Sequence, residues 1–147
     1  MSQIYAKMLT DGNGDLIPQL YYPETGSFVA LNAAQNSDAT IDSGANKSDS
    51  VYIGCGKHFV LYMSSGWDAA DVAFEASPDG DNWYPLKDDT GSRITATVSA
   101  DDAVSVDLGA LALAPVNYVK LASVSTSDSS TAVNQTAERV ITIGFKG

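Results

Sequence analysis

Cysteine, histidine and basic side chains are scarce in this chain of 147 residues. Cys55 is the lone cysteine, so an internal disulfide and a multi-cysteine zinc site are both excluded, and stability has to come from packing or assembly. Within YIGCGKHF it reads as a small buried hydrophobe rather than a nucleophile. His58 is the lone histidine, and no nucleophile elbow sets a serine or carboxylate against it, so it reads as a surface or edge residue opening an apolar strand. Eight bases face eighteen acids, and the net charge of −10 repels phosphate backbones and anionic lipid at long range. Nucleic acid is therefore not an expected partner. The acids are scattered singly and in pairs, which describes a soluble, self-repelling surface. No apolar run approaches the roughly eighteen residues of a membrane span, so no membrane partner is expected. The start, MSQIYAKMLTDG, lacks the basic-then-apolar build of a signal peptide, and no secretion route is expected from it.

What the sequence does have is alternation with period two, filled by β-branched and aromatic residues. Phe59, Leu61 and Met63 alternate with Val60 and Tyr62, and Val72, Phe74 and Ala76 with Ala73, Glu75 and Ser77. Ile94, Ala96 and Val98 continue the pattern, followed by Val104, Val106 and Leu108, then Val119 and Leu121, and finally Ile141, Ile143 and Phe145. Each run reads as a strand with one buried face. Turn-forming clusters separate them: DGNGD, DSGANKSDS, SSGWD, SPDGDN, DDTGS and SADD. The fold class expected is all-β, an antiparallel β-sandwich, jelly-roll-like, with an extended N-terminal arm. Residues 1–25 form the arm or edge segment, because Pro18 and Pro23 bar a central-strand role, and 26–147 form a single sandwich domain. GALALAPV is expected to carry one helical turn ended by Pro115, and SVSTSDSSTAVNQT, residues 123–136, a long exposed loop.

Few segments suggest chemistry. DGNGD places Asp11, Asn13 and Asp15 at alternate positions, but Leu16 and Tyr22 stand where a calcium loop needs glycine and a bidentate glutamate, so a hairpin turn is expected. Asp68, Asp71, Asp101, Asp102 and Asp107 could hold calcium only if the fold brought loop ends together. No metal site and no cofactor are expected. Carboxylate pairs of the glycosidase kind are neither supported nor opposed by spacing. Asn46-Lys-Ser and Asn134-Gln-Thr match the glycosylation pattern by chance. Trp67, Trp83 and the tyrosines can supply core, a protein interface or a sugar-stacking platform, with Tyr21 and Tyr22 the pair best placed for an interface.

The most legible stretch is FEASPDGDNWYPL, with Ser77, Asp79, Gly80 and Trp83 in the order S-x-D-G-x-x-W. Pro78 to Gly80 supply a tight turn, glycine tolerating positive φ, and Trp83 is expected to return onto the core beside Phe74. The arrangement resembles the hairpin of discoidin-type jelly-roll domains. It is near the Asp box of sialidase propellers, but lacks the residue between aspartate and glycine and has no repeat. Asn117-Tyr-Val-Lys-Leu121 resembles the late strand of discoidin domains, whose terminal cysteine pair is missing here.

The C-terminal half also resembles small virion proteins of tailed bacteriophages. The matching pieces are Ser77 to Leu86, Thr90-Gly91, Tyr118 to Leu121, Thr131 to Gln135 and Ala137 to Phe145. The resemblance implies a non-enzymatic virion protein made in the host cytoplasm. Its role would be capsid decoration or cement, with the major capsid protein and neighbouring copies of itself, as dimer or trimer, for partners. Ile4, Tyr5, Leu16, Leu20, Tyr21 and Tyr22 of the arm are the expected contact residues. The alternatives are a tail, neck or fibre component, or a carbohydrate-binding adhesin module recognising a host glycan through Trp67, Trp83 and nearby acids.

Overall fold

The computed structural model describes residues 35–54, 58–107 and 116–146, together with the backbone of four short strands nearer the start. Of those four, β1 (Leu9–Thr10) pairs with β2 (Leu16–Ile17), and β3 (Gln19–Tyr22) pairs with β4 (Ser27–Ala30), giving two separate antiparallel ribbons. Thr10 lies opposite Leu16, and DGNGD, where a hairpin turn is expected, lies outside the described residues. The second ribbon runs from Gln19 to Ala30 and so spans residue 25.

The remaining strands are β5 (Gln35–Ile41), β6 (Val51–Tyr52), β7 (His58–Tyr62), β8 (Asp71–Ser77), β9 (Tyr84–Pro85), β10 (Thr95–Ala96), β11 (Ala103–Asp107), β12 (Tyr118–Val124) and β13 (Arg139–Lys146). They form two antiparallel sheets: sheet I in the order β10-β8-β12-β6, with β9 also on β8, and sheet II in the order β11-β7-β13-β5. Among the described residues there is no helix. From β5 to β8 the chain crosses from one sheet to the other at every step, and the return from β10 to β13 pairs with it in reverse order. β10 lies on β8, β11 on β7, β12 on β6 and β13 on β5. The expected antiparallel β-sandwich is therefore the observed one.

The alternating apolar residues meet between the sheets. Val72, Phe74, Ala96, Val119 and Leu121 of sheet I pack against Ala39, Ile41, Phe59, Leu61, Val106, Ile141 and Ile143 of sheet II. Burial of a side chain the size of Phe74 or Leu61 stabilises by roughly 1.5–3 kcal/mol, so these residues dominate the folded state. The register explains the selection: Leu121 lies opposite Phe74 and Ile143 opposite Leu61, so large groups stack as cross-strand pairs.

Four expectations change. First, β8 and β12 are buried on both faces, because Ala73, Ala122 and Val124 form a second, smaller cluster on the outer side of sheet I. Second, the run Ile94 to Val98 shortens to the two-residue β10, although Ala96 and Val98 stay buried. Third, residues 123–136 are not simply an exposed loop: Ser123 and Val124 end β12, and Ser123 and Gln135 are completely buried. Fourth, Trp83 is half-buried against Lys120, whose Nζ stands 4.5 Å from the ring centroid, and it does not join the inward cluster around Phe74. The register gives the reason, since Lys120 lies opposite Glu75, on the face of sheet I that points away from Phe74. Cys55 and residues 108–115, with the expected helical turn, lie outside the described residues.

Candidate functional site

The hairpin between β8 and β9 is organised by Ser77 and Asp79. Ser77 is buried at the end of β8, where its Oγ accepts from the Gly80 N–H at 2.8 Å and donates to Asp79 Oδ1 at 3.0 Å. Asp79 Oδ1 accepts from the N–H groups of Asp81 and Asn82 at 2.9 and 2.8 Å, and Oδ2 accepts from Asn82 Nδ2 at 2.7 Å. The two backbone N–H donors, then the Asn82 amide, hold the Asp79 carboxyl well below the usual carboxylate range. Gly80 sits at φ +83°, over the Tyr118 ring, where a side chain would be strained. Serine, aspartate and glycine therefore all serve the turn, and Trp83 serves as a lid on Lys120.

The same device recurs at two other loops. Asp88 accepts from Thr90 Oγ1 at 2.6 Å and from the Thr90 and Ser92 N–H groups, and Asp128 does likewise with Ser130 and Thr131. Hydrogen bonds from Thr90 and Ser130, foremost their hydroxyls, lower these two carboxyls as well. These acids are occupied in closing turns.

A polar latch joins three loops where β5 ends and β13 begins. Gln135, completely buried, donates from Nε2 to Ser123 Oγ at 2.8 Å and accepts at Oε1 from the Asp68 N–H at 3.0 Å. Its backbone bonds Ala45 and Gly44, so every polar group of the residue is engaged. Asp68 in turn accepts from the Thr136 N–H at 2.6 Å and lies 3.7 Å from Arg139, and the Thr136 N–H is the chief cause of its lowered pKa.

The outer face of sheet I holds a buried carboxylate met by two cations. Glu75, only 6% exposed, receives Lys47 Nζ at 2.8 Å and Arg93 at 3.5 Å on the same oxygen. Lys47 comes from the β5–β6 loop, opposite Ala122, and Arg93 from the segment entering β10, where it also donates to the Ser129 carbonyl at 3.0 Å. Lys120 completes the group from the neighbouring strand. Beside it Tyr52 and Tyr118 pack as a tilted pair with centroids 5.2 Å apart. No sequence motif marked this group, because Glu75 occupies an ordinary polar position of an alternating strand and its cations come from two distant loops.

Of the residues singled out from sequence, Ile4 and Tyr5 lie outside the described residues. Leu16, Leu20, Tyr21 and Tyr22 are placed only as positions on β2 and β3. Trp67 is buried, with its indole N–H donating to the Ala70 carbonyl at 3.0 Å, so it cannot form an exposed platform with Trp83. His58 opens β7, opposite Asp107 and Lys146. Among the described residues no three acids, histidines or cysteines gather as a metal site would require. An apolar cavity of about 10 Å³ between Phe59, Leu61, Phe74 and Ile143 holds at most one water. A shallow groove of about 200 Å³ runs past Ser77, Tyr84, Leu86 and Val116, smaller than the roughly 300–1,000 Å³ of ligand pockets.

No protein-family model matches this sequence, and no curated protein matches it. Among solved structures, the crystal structure of SPBc2 prophage-derived protein YomS is similar with a TM-score of 0.46 and 11% sequence identity. The match covers 81% of this chain and 99% of that one.

Proposed function

We propose that this chain is a non-enzymatic structural protein of a tailed-bacteriophage virion, a decoration or cement protein that docks on the major capsid protein and reinforces the shell. The observation that carries the reading is how the polar side chains are used. Asp68, Asp79, Asp88, Asp128 and Gln135 are engaged in closing and latching loops. Among the described residues, Tyr52, Tyr62, Tyr84 and Val140 are turned outward as large exposed apolar groups, which suits a contact surface. Exposed aromatic residues on a rigid scaffold suit protein recognition. The sequence likeness of the C-terminal half to small virion proteins supplies the context.

The mechanism is binding alone. Contacts across capsomer boundaries bury apolar area and add strand-edge pairing, and the assembled lattice gains stability by mass action. Ile4, Tyr5, Leu16, Leu20, Tyr21 and Tyr22 are assigned the anchoring contacts. Purified protein should co-sediment with expanded capsids at a fixed saturating stoichiometry. A chain lacking residues 1–34, which removes both ribbons whole, should lose that binding while keeping the circular dichroism of the sandwich. Undiminished binding by the shortened chain would sink the anchoring assignment, and failure of the full chain to bind capsids would sink the decoration role.

A further inference from the structure

One strand edge of the sandwich is left open among the described residues. Sheet I is bounded by the two-residue strands β6, β9 and β10, which offer a neighbour little to pair with. At one border of sheet II, β5 is closed by Asp49, whose Oδ1 accepts from the Thr40 N–H at 2.8 Å and whose N–H donates to the Thr40 carbonyl at 3.1 Å. The other border is β11, five residues long, which pairs with β7 alone among the described strands. Its register with β7 is unbroken, and AVSVD contains neither the proline nor the lysine that blunts an edge.

The ladder decides which backbone groups face outward. The Met63 N–H donates to the Asp102 carbonyl at 2.8 Å, so Asp102 turns its backbone groups to β7, and Val104 and Val106 do the same at every second position. Ala103, Ser105 and Asp107 therefore turn N–H and C=O to the open side. Ala103 and Ser105 are exposed, and their small side chains leave room for a neighbour. Val104 faces the core yet is only half-buried, because no described strand follows β11 to cover it. Exposed Asp101 and Asp102 precede this edge and Asp107 ends it. The register sets His58 and then Lys146 across from Asp107, whereas at the other end Arg139 is 14% exposed and stands 3.7 Å from Asp68. The acid excess therefore lies at the Asp101 and Asp102 end.

We propose that β11 accepts an extended strand of a partner protein, one that alternates apolar and basic residues. Main-chain bonds to Ala103, Ser105 and Asp107 supply the pairing, an apolar side chain covers Val104, and the basic ones complement Asp101 and Asp102. A second copy brings the same acids and a net charge of −10, so a segment of opposite charge is the occupant selected. The inference goes beyond the capsid role and is tested without capsids, so the two can fail separately.

A short capped peptide of alternating valine and lysine, titrated into the full chain at low salt, should shift the Ala103 and Ser105 amide resonances saturably and slow their hydrogen exchange. The same peptide with glutamate in place of lysine should do neither. Ser105→Pro removes an N–H that the sheet does not use, and should weaken peptide binding roughly tenfold with the melting curve unchanged. Asp101→Asn/Asp102→Asn leaves every ladder group in place, and should weaken binding severalfold and flatten its salt dependence whether or not the proline variant folds. Absence of binding by the lysine peptide would overturn the proposal. So would equal binding of the glutamate peptide, shifts that spare Ala103 and Ser105, or binding unaltered in these variants.

Discussion

On the outer side of sheet I, Ala73, Glu75, Ala122 and Val124 are buried, whereas on the outer side of sheet II, Tyr62 and Val140 are 47% and 38% exposed. Both faces belong to strands of the same alternating type, and both have their other side in the same core. The difference lies in the loops. The segment 46–48 and Val133 bond along the edge of β12. The outer side is crossed by the turn after β8, with Gly80 against Tyr118 and Trp83 against Lys120, and by Arg93, which reaches Glu75 and the Ser129 carbonyl. Sheet II receives no such cover from the described loops, and its outward Thr142 bonds instead to Asp38 of the next strand. A half-buried strand is thus a statement about one face. The second face is decided by what the connections do.

Mutations should separate the two faces, and the largest effect belongs to the layer they share. Phe74→Ala removes the largest fully buried side chain between the sheets and should cost about 3–5 kcal/mol, read as a lowered denaturation midpoint in urea. Both faces should unfold together, because neither sheet retains a core without the other.

Glu75→Ala probes the covered face. It leaves the Arg93 guanidinium, 15% exposed, without its carboxylate, whereas Lys47, 53% exposed, returns to water. The loss should be about 2 kcal/mol, smaller than for a fully enclosed pair because of that exposure. Loss of amide protection near residues 46–48 and 93 in hydrogen exchange should accompany it, with sheet II unchanged.

Much of this architecture was legible from alternation alone. Phe59 and Leu61, Val72 and Phe74, Val119 and Leu121, and Ile141 and Ile143 face inward as their spacing requires. The strand β5 was not legible, because QNSDATI offers only Ala39 and Ile41 to the core and owes its place to seven residues of pairing with β13. Gln135 was unreadable for a related reason: a polar loop residue becomes buried only when partners as remote as Ser123 and Asp68 satisfy it. Trp83 was misplaced because the apolar character of its ring spoke for the core, whereas the register set it over a cation on the outer side. Ser77, Asp79 and Gly80 differ in being local: their bonds run within one turn, and Gly80 takes a positive φ there.

Acid should loosen the hairpin that bounds the covered face. Asp79 has a depressed pKa in the folded chain, so its contribution is fully present above the ordinary aspartate value of 3.8 and is lost as pH falls through the folded value. The Asp81 and Asn82 amide resonances should hold steady from neutral pH to about 4 and shift only in stronger acid. Asp79→Asn should disorder the turn at neutral pH and remove that acid transition.

The smallest effect belongs to the open face. Tyr62→Ser, at an exposed site on sheet II, should change stability by no more than about 0.5 kcal/mol. If the open face meets a partner in an assembled particle, the same change should weaken that docking far more than it alters folding.

The most direct test of a structural role is the position of this protein in purified virions, read by cryo-electron microscopy at a resolution that traces strands. The proposed role predicts sandwich-shaped density at fixed, symmetry-related sites on the outside of the capsid. Density confined to the tail or fibre would contradict the decoration assignment, and absence of the protein from virions would contradict the role itself.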